Sequence, residues 1–95
     1  MRGTETYYFK GADYNLARAI HRRMLGEVRL EDNGVRRARF FVLNHTTMPS
    51  VCIEPAYMSN VADESLIKNQ EFQKKIAAAV VSGLGDYFKL RVAQW

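Results

Sequence analysis

Glu54 is the side chain in this sequence best placed to move a proton. It closes an apolar run, Val51-Cys52-Ile53, and Pro55 follows it directly. A carboxylate at the end of a buried strand loses hydration, which raises its pKa toward values useful for proton transfer at neutral pH. In open α/β sheets ligands bind outside the carboxyl ends of strands, and a strand-end Glu54 fits that rule. The structural alternative is a glutamate paired with an arginine, and position alone favours it.

Cys52 lies two residues before Glu54, so both point to one face of a strand. As a nucleophile Cys52 would need a base, and His45 in the preceding loop is a conceivable one. A small buried hydrophobe is the simpler reading of a lone cysteine. His45, Cys52 and Glu54 can be imagined as a zinc set. A catalytic zinc needs three protein ligands and an open position, and nothing resembles the helical H-E-x-x-H arrangement. A zinc site wholly within this chain is therefore not expected. His21, between Ile20 and Arg22, reads as a surface or boundary residue. Ser59 lacks the G-x-S-x-G context of a serine hydrolase, and no glycine-rich phosphate loop occurs.

The elements that must position Glu54 follow from pattern. Residues 4–9 (TETYYF) are β-branched and aromatic, and read as a strand. Asp13 is placed to cap a helix over 14–27, where Leu16, Ala17, Ile20, Met24 and Val28 share a face. Residues 29–38 read as a polar loop with an Asn33-Gly34 turn. Residues 39–43 (RFFVL) read as a short buried strand, and 50–54 as a second one that Pro55 ends. Asn60, three residues before Asp63, starts a short helix to about Lys68. A long helix follows over 70–89, and 90–95 is an unassigned tail. The expected fold is α/β, an open sheet of about three strands packed by helices.

Ninety-five residues suit one small domain or part of a larger one. With 47% hydrophobic and 25% charged residues, disorder is excluded. A single cysteine forbids an internal disulfide. No apolar run reaches membrane-span length, and no signal peptide opens the chain. The net charge of +4 sits entirely in residues 1–40, with seven arginines between Arg18 and Arg39. Such a patch can attract nucleic acid, anionic lipid or an acidic polymer. A solvated helix face is the plainer reading, and the aromatics do not interleave as in a single-strand binder.

Residues 40–60 resemble a known motif. Phe40-Phe41-Val42-Leu43, Met48-Pro49-Ser50-Val51-Cys52-Ile53-Glu54 and Tyr57-Met58-Ser59-Asn60 are similar to the closing segment of zinc-dependent N-acetylmuramoyl-L-alanine amidases. That segment runs V-L, a loop, M-P-A-V-L-V-E and then S-N. Gly3-Thr4-Glu5-Thr6-Tyr7-Tyr8 resembles the family's G-x-E-x-Y-Y strand, and Leu16 to Ile20 its next helix. Asn33-Gly34-Val35-Arg36 resembles an R-G-V-K loop, and Glu64 to Phe88 the last helices. Residues 3–89 are covered in order. Pro55 and Ala56 depart from the apolar residue and glycine that usually follow the glutamate, which alters the backbone beside it.

The resemblance implies an enzyme that cleaves the amide between muramic acid and the L-alanine of the peptidoglycan stem. It implies one zinc on two histidines and a glutamate, with a further catalytic glutamate that maps onto Glu54. The ligand segments, D-P-G-H-G and S-x-H-x-N, are not in residues 1–95, and neither His21 nor His45 falls on a ligand position. The expectation is thus the C-terminal half of a cell-wall amidase domain, a bacterial envelope hydrolase of the autolysin type, inactive alone. Its partners would be peptidoglycan and the missing half, or a second copy joined at an exposed sheet edge. The alternatives are a non-catalytic relic or cell-wall-binding module and, below that, a small basic nucleic-acid-binding domain.

Overall fold

The Thr-Glu-Thr-Tyr-Tyr run forms β1 (Thr4–Tyr8), flanked by β2 (Asp32–Arg37) and β3 (Cys52–Glu54). The computed structural model describes residues 2–57 and 59–93, and the main chain alone over 90–93. The sheet has three strands in the order β2-β1-β3, with β2 parallel and β3 antiparallel to β1. A parallel pair needs a long crossover, and α1 (Tyr14–Val28) supplies it. α2 (Phe41–Asn44), α3 (Val61–Ile67) and α4 (Gln70–Ala93) complete the chain.

The expected α/β class and three strands are found, with different members. The 29–38 segment is a strand rather than a loop. Its partner is backbone: it hydrogen-bonds to β1 as an edge strand and buries little side chain. Asn33-Gly34 supplies a bulge within the strand rather than a turn in a loop. The register slips between Thr4↔Asp32 and Thr6↔Val35, Gly34 takes φ +89°, and its N–H donates to Asp32 Oδ1 at 2.8 Å.

The 39–43 run is not a strand. It carries the short helix α2, with Phe41 76% and Val42 66% exposed and only Leu43 buried. An apolar run of that length does not reveal its own period. Asp13 does not cap α1 either. A 3-10 turn over Gly11–Asp13 leads into α1 and leaves Asp13 in helical rather than extended backbone. Its carboxylate instead accepts from the Ser50 N–H at 3.3 Å and pairs with Lys10 Nζ at 3.3 Å. The tail residues 90–93 continue α4, while 94 and 95 lie outside the described residues, as do Met1 and Met58.

The core is the seam between α1 and α4. Leu16, Ala19, Ile20 and Met24 meet Ala79 and Tyr87, and Val51, Ile53, Ile76, Val80 and Leu84 pack around them. Each large apolar side chain withdrawn from water contributes roughly 1.5–3 kcal/mol. The helices meet at Gly83, where an added Cβ would lie 2.6 Å from Ile20 Cα.

Alternation along the strands divides the sheet. Thr6 and Ile53, which are register partners, face α1 and the core. Glu5, Tyr7, Cys52 and Glu54 share the opposite face. Gly3, at φ +109°, lets the chain enter β1 where a Cβ would meet Glu31 O at 2.6 Å. Asn60 caps α3 as expected, its side chain accepting from the Asp63 N–H at 3.1 Å. Asp63 is spent elsewhere. Its buried carboxylate accepts from the N–H groups of Gly3 and Tyr57, both at 2.9 Å, and so ties α3 to the start of β1 and the segment after β3.

Candidate active site

The face of the sheet turned away from α1 carries two carboxylates in direct register, Glu5 on β1 and Glu54 on β3. Their surroundings separate them. Glu5 is 1% exposed. Its Oε2 accepts the Tyr7 hydroxyl at 2.6 Å and the Tyr57 hydroxyl in a very short contact, and its Oε1 faces Arg36 Nε at 3.3 Å. Burial pushes the Glu5 carboxyl up, but the hydroxyls of Tyr57 and Tyr7 and the Arg36 charge outweigh it and hold the group below its ordinary value. Glu5 is therefore a committed anion. Glu54 is half-buried, and its side chain makes no hydrogen bond or ion pair with any described residue. Its charge is still close enough to help raise the pKa of both tyrosines. Burial is the larger cause for each, followed by the bond to Glu5.

Backbone chemistry explains the placement. β3 is only three residues long, because Pro55 has no N–H to extend the ladder. The Pro55 carbonyl instead accepts the Thr4 hydroxyl at 2.9 Å. Asp63 then holds the Tyr57 N–H, which swings the Tyr57 ring back over Glu5. Because β3 runs against β1, Glu54 lies beside the start of β1, not at the carboxyl ends of the parallel pair β1–β2. The strand-end rule that singled out Glu54 is thus not the geometry that places it.

The other sequence candidates do not join this face. His45 is exposed, stacks on Phe41 at 3.9 Å and has Nδ1 3.0 Å from the Phe41 carbonyl. It makes no contact with Cys52 among the described residues. Cys52 stands opposite Tyr7, with no base beside it. His21 is not a boundary residue: it is 4% exposed, because its helix position faces the sheet. Its Nδ1 meets Thr6 Oγ1 at 2.9 Å and its Nε2 meets Asp32 Oδ1 at 2.8 Å. The hydroxyl–imidazole–carboxylate order has the look of a nucleophile relay, but Thr6 is 0% exposed, so no substrate reaches it. The trio instead joins β1, α1 and β2.

No three His, Cys, Asp or Glu side chains among the described residues come together to hold a metal ion. They do not fit a zinc centre. Glu5, Arg36 and Tyr57 were not singled out by sequence. The available signal was a charged residue inside a β-branched and aromatic strand, with a tyrosine two positions on.

The sheet is thus backed by α1 on one face and carries on the other a carboxylate, Glu54, with no partner among the described residues. Comparison supplies the family. The profile described as N-acetylmuramoyl-L-alanine amidase matches residues 1–86, so the chain belongs to that family. It is 33% identical over 91 residues to the N-acetylmuramoyl-L-alanine amidase LytC of Bacillus subtilis, covering 92% of this chain and 18% of LytC. It is 34% identical over 86 residues to the probable cell wall amidase LytH of Staphylococcus epidermidis, covering 90% of this chain and 30% of LytH. The catalytic domain of the amidase CwlV from Bacillus (Paenibacillus) polymyxa superposes with a TM-score of 0.88 at 34% identity, covering 94% of this chain and 50% of CwlV. The chain thus spans half or less of each of these relatives.

Proposed function

We propose that this chain forms the Glu54-bearing part of a cell-wall amidase catalytic domain, acting in the bacterial envelope on peptidoglycan. The bond cut is the amide between the muramic acid lactyl group and L-alanine. The observation that carries this reading is the contrast between the two register-paired carboxylates. Glu5 takes three donors, from Tyr7, Tyr57 and Arg36, and Glu54 takes none from the described residues.

In the proposed reaction a water oxygen bonds to the lactyl carbonyl carbon and the C–N bond breaks. Glu54 accepts the proton that the water loses and returns it to the departing L-alanine nitrogen. Tyr7, Tyr57 and Arg36 keep Glu5 anionic and still, so that the proton in play belongs to Glu54. The zinc that the family implies has no ligand set among these residues, and a centre of that kind would draw its ligands from outside them. No helix is long and apolar enough to cross a membrane.

The test is a chimera in which residues 3–89 replace the matching half of the CwlV catalytic domain. Release of new L-alanine amino groups from purified peptidoglycan supports the proposal. A folded chimera that binds peptidoglycan and leaves it uncut favours the non-catalytic reading, which the missing ligand set keeps in view.

A further inference from the structure

Along the solvent side of the α1–α4 seam runs a groove of about 1110 Å³. Arg18, Arg22, Arg23 and Lys89 line it, against Glu27 and Asp86. Arg23 is committed: its Nε and Nη2 grip Asp86 at 2.7 and 2.9 Å. That bond holds the Asp86 carboxyl below its ordinary range, and the charges of Arg23, Lys89 and Arg22 add to it. Arg18, Arg22 and Lys89 are exposed and make no ion pair with any described residue. Arg18, Arg22, Arg23 and Lys89 thus put four cations in the groove against two carboxylates, Glu27 and Asp86, and only Arg23 and Asp86 are joined in an ion pair.

The arrangement is not one that helix stability selects. Arg18 and Arg22 are one turn apart, about 6 Å along the axis, and like charges at that spacing destabilise a helix. Gly26, one turn further on, also lines the groove, and a Cβ there would meet nothing within 4 Å. Guanidinium groups match phosphate oxygens in paired hydrogen bonds. Cations repeated along the groove suit repeated charge better than a single anion. Among the described residues no aromatic side chain lines the groove, so they build no stacking platform of the kind a single-strand nucleic-acid binder uses. None of the described lining residues carries a large apolar side chain to insert into lipid.

We infer that the α1–α4 groove binds a linear, phosphate-bearing polyanion that carries no bases, through Arg18, Arg22 and Lys89. The inference does not depend on the amidase reading, because Glu54 lies on the side of the sheet turned away from α1.

The experiment titrates the purified chain with long-chain inorganic polyphosphate over a range of salt. The Arg18→Gln/Arg22→Gln variant is compared with Lys74→Gln/Lys75→Gln, which removes the same charge elsewhere on α4, and circular dichroism checks both folds. The groove variant is expected to bind about tenfold or more weakly at ~50 mM salt, with the salt slope reduced by about 2. The control is expected to stay within about threefold of the unaltered chain. Equal losses in both variants would overturn the inference. So would the absence of binding, or tighter binding to single-stranded DNA of matched charge or to phosphatidylglycerol vesicles.

Discussion

Glu5 and Glu54 stand opposite one another in the β1–β3 ladder, and the hydroxyls of Tyr7 and Tyr57 both close on Glu5. Burial and the Glu5 carboxylate together push both tyrosines above their ordinary value of 10. Tyrosinate absorbance followed through alkaline pH should therefore show two of the five tyrosines ionising late. Glu5→Gln removes the negative charge and should bring both down part of the way, since burial remains. Five tyrosines titrating together, unmoved by Glu5→Gln, would contradict the arrangement.

The same groups set the pH range of stability. Glu5 and Asp32 have folded pKa values below their ordinary 4.5 and 3.8. Their contribution is complete above those values and is lost as pH falls through the lower, folded ones. Tyr7 and Tyr57 act at the other end, where stability falls as pH rises above 10. Thermal midpoints should thus be flat between about pH 6 and pH 9 and decline on both sides. Glu5→Gln should cost about 2 kcal/mol at neutral pH, by weakening a buried set of bonds, and flatten both declines.

Two glycines of α4 should respond oppositely to alanine. At Gly83 a methyl group would meet the Ile20 backbone at 2.6 Å, and helix cannot slide from helix without opening the core. Gly83→Ala should destabilise by about 1–3 kcal/mol. At Gly85 nothing lies within 4 Å, so Gly85→Ala should stabilise by up to about 1 kcal/mol through helix propensity. Chemical denaturation of the two variants checks the pair.

Asp63 and Asn60 should also differ. Asn60→Ala loses one cap bond and should cost about 1 kcal/mol. Asp63→Ala leaves the N–H groups of Gly3 and Tyr57 without their acceptor and should cost about 2–3 kcal/mol. It should also free the Tyr57 ring, visible as a downward shift of one tyrosine in the alkaline titration.

What the sequence revealed tracks what is local. α1 and α4 were legible because apolar spacing is read within a few turns, and α3 from its Asn60 cap. β1 was legible from residue type. β2 was not, since its reason for being a strand is the backbone of β1, and its Asn33-Gly34 signal serves a bulge. The 39–43 run misled because four apolar residues after Arg39 show no period, and only Leu43 is buried. At the candidate site the motif singles out Glu54, and the structure places it on β3 opposite Glu5. The Glu5–Tyr7–Tyr57–Arg36 cluster was not legible, because Tyr57 reaches Glu5 only after Asp63 has turned the chain. His21 was misplaced for a similar reason, its partners Thr6 and Asp32 lying on two different strands.

The central claim is that Glu54 moves the proton while Glu5 stays fixed. Its most direct test is Glu54→Gln in the CwlV chimera, assayed by amide cleavage of peptidoglycan alongside the unaltered chimera. Glu54 has no bond to lose among the described residues, so the fold and its melting temperature should stay unchanged while cleavage falls by about 100-fold or more. Cleavage within a few-fold of the unaltered chimera would contradict the account.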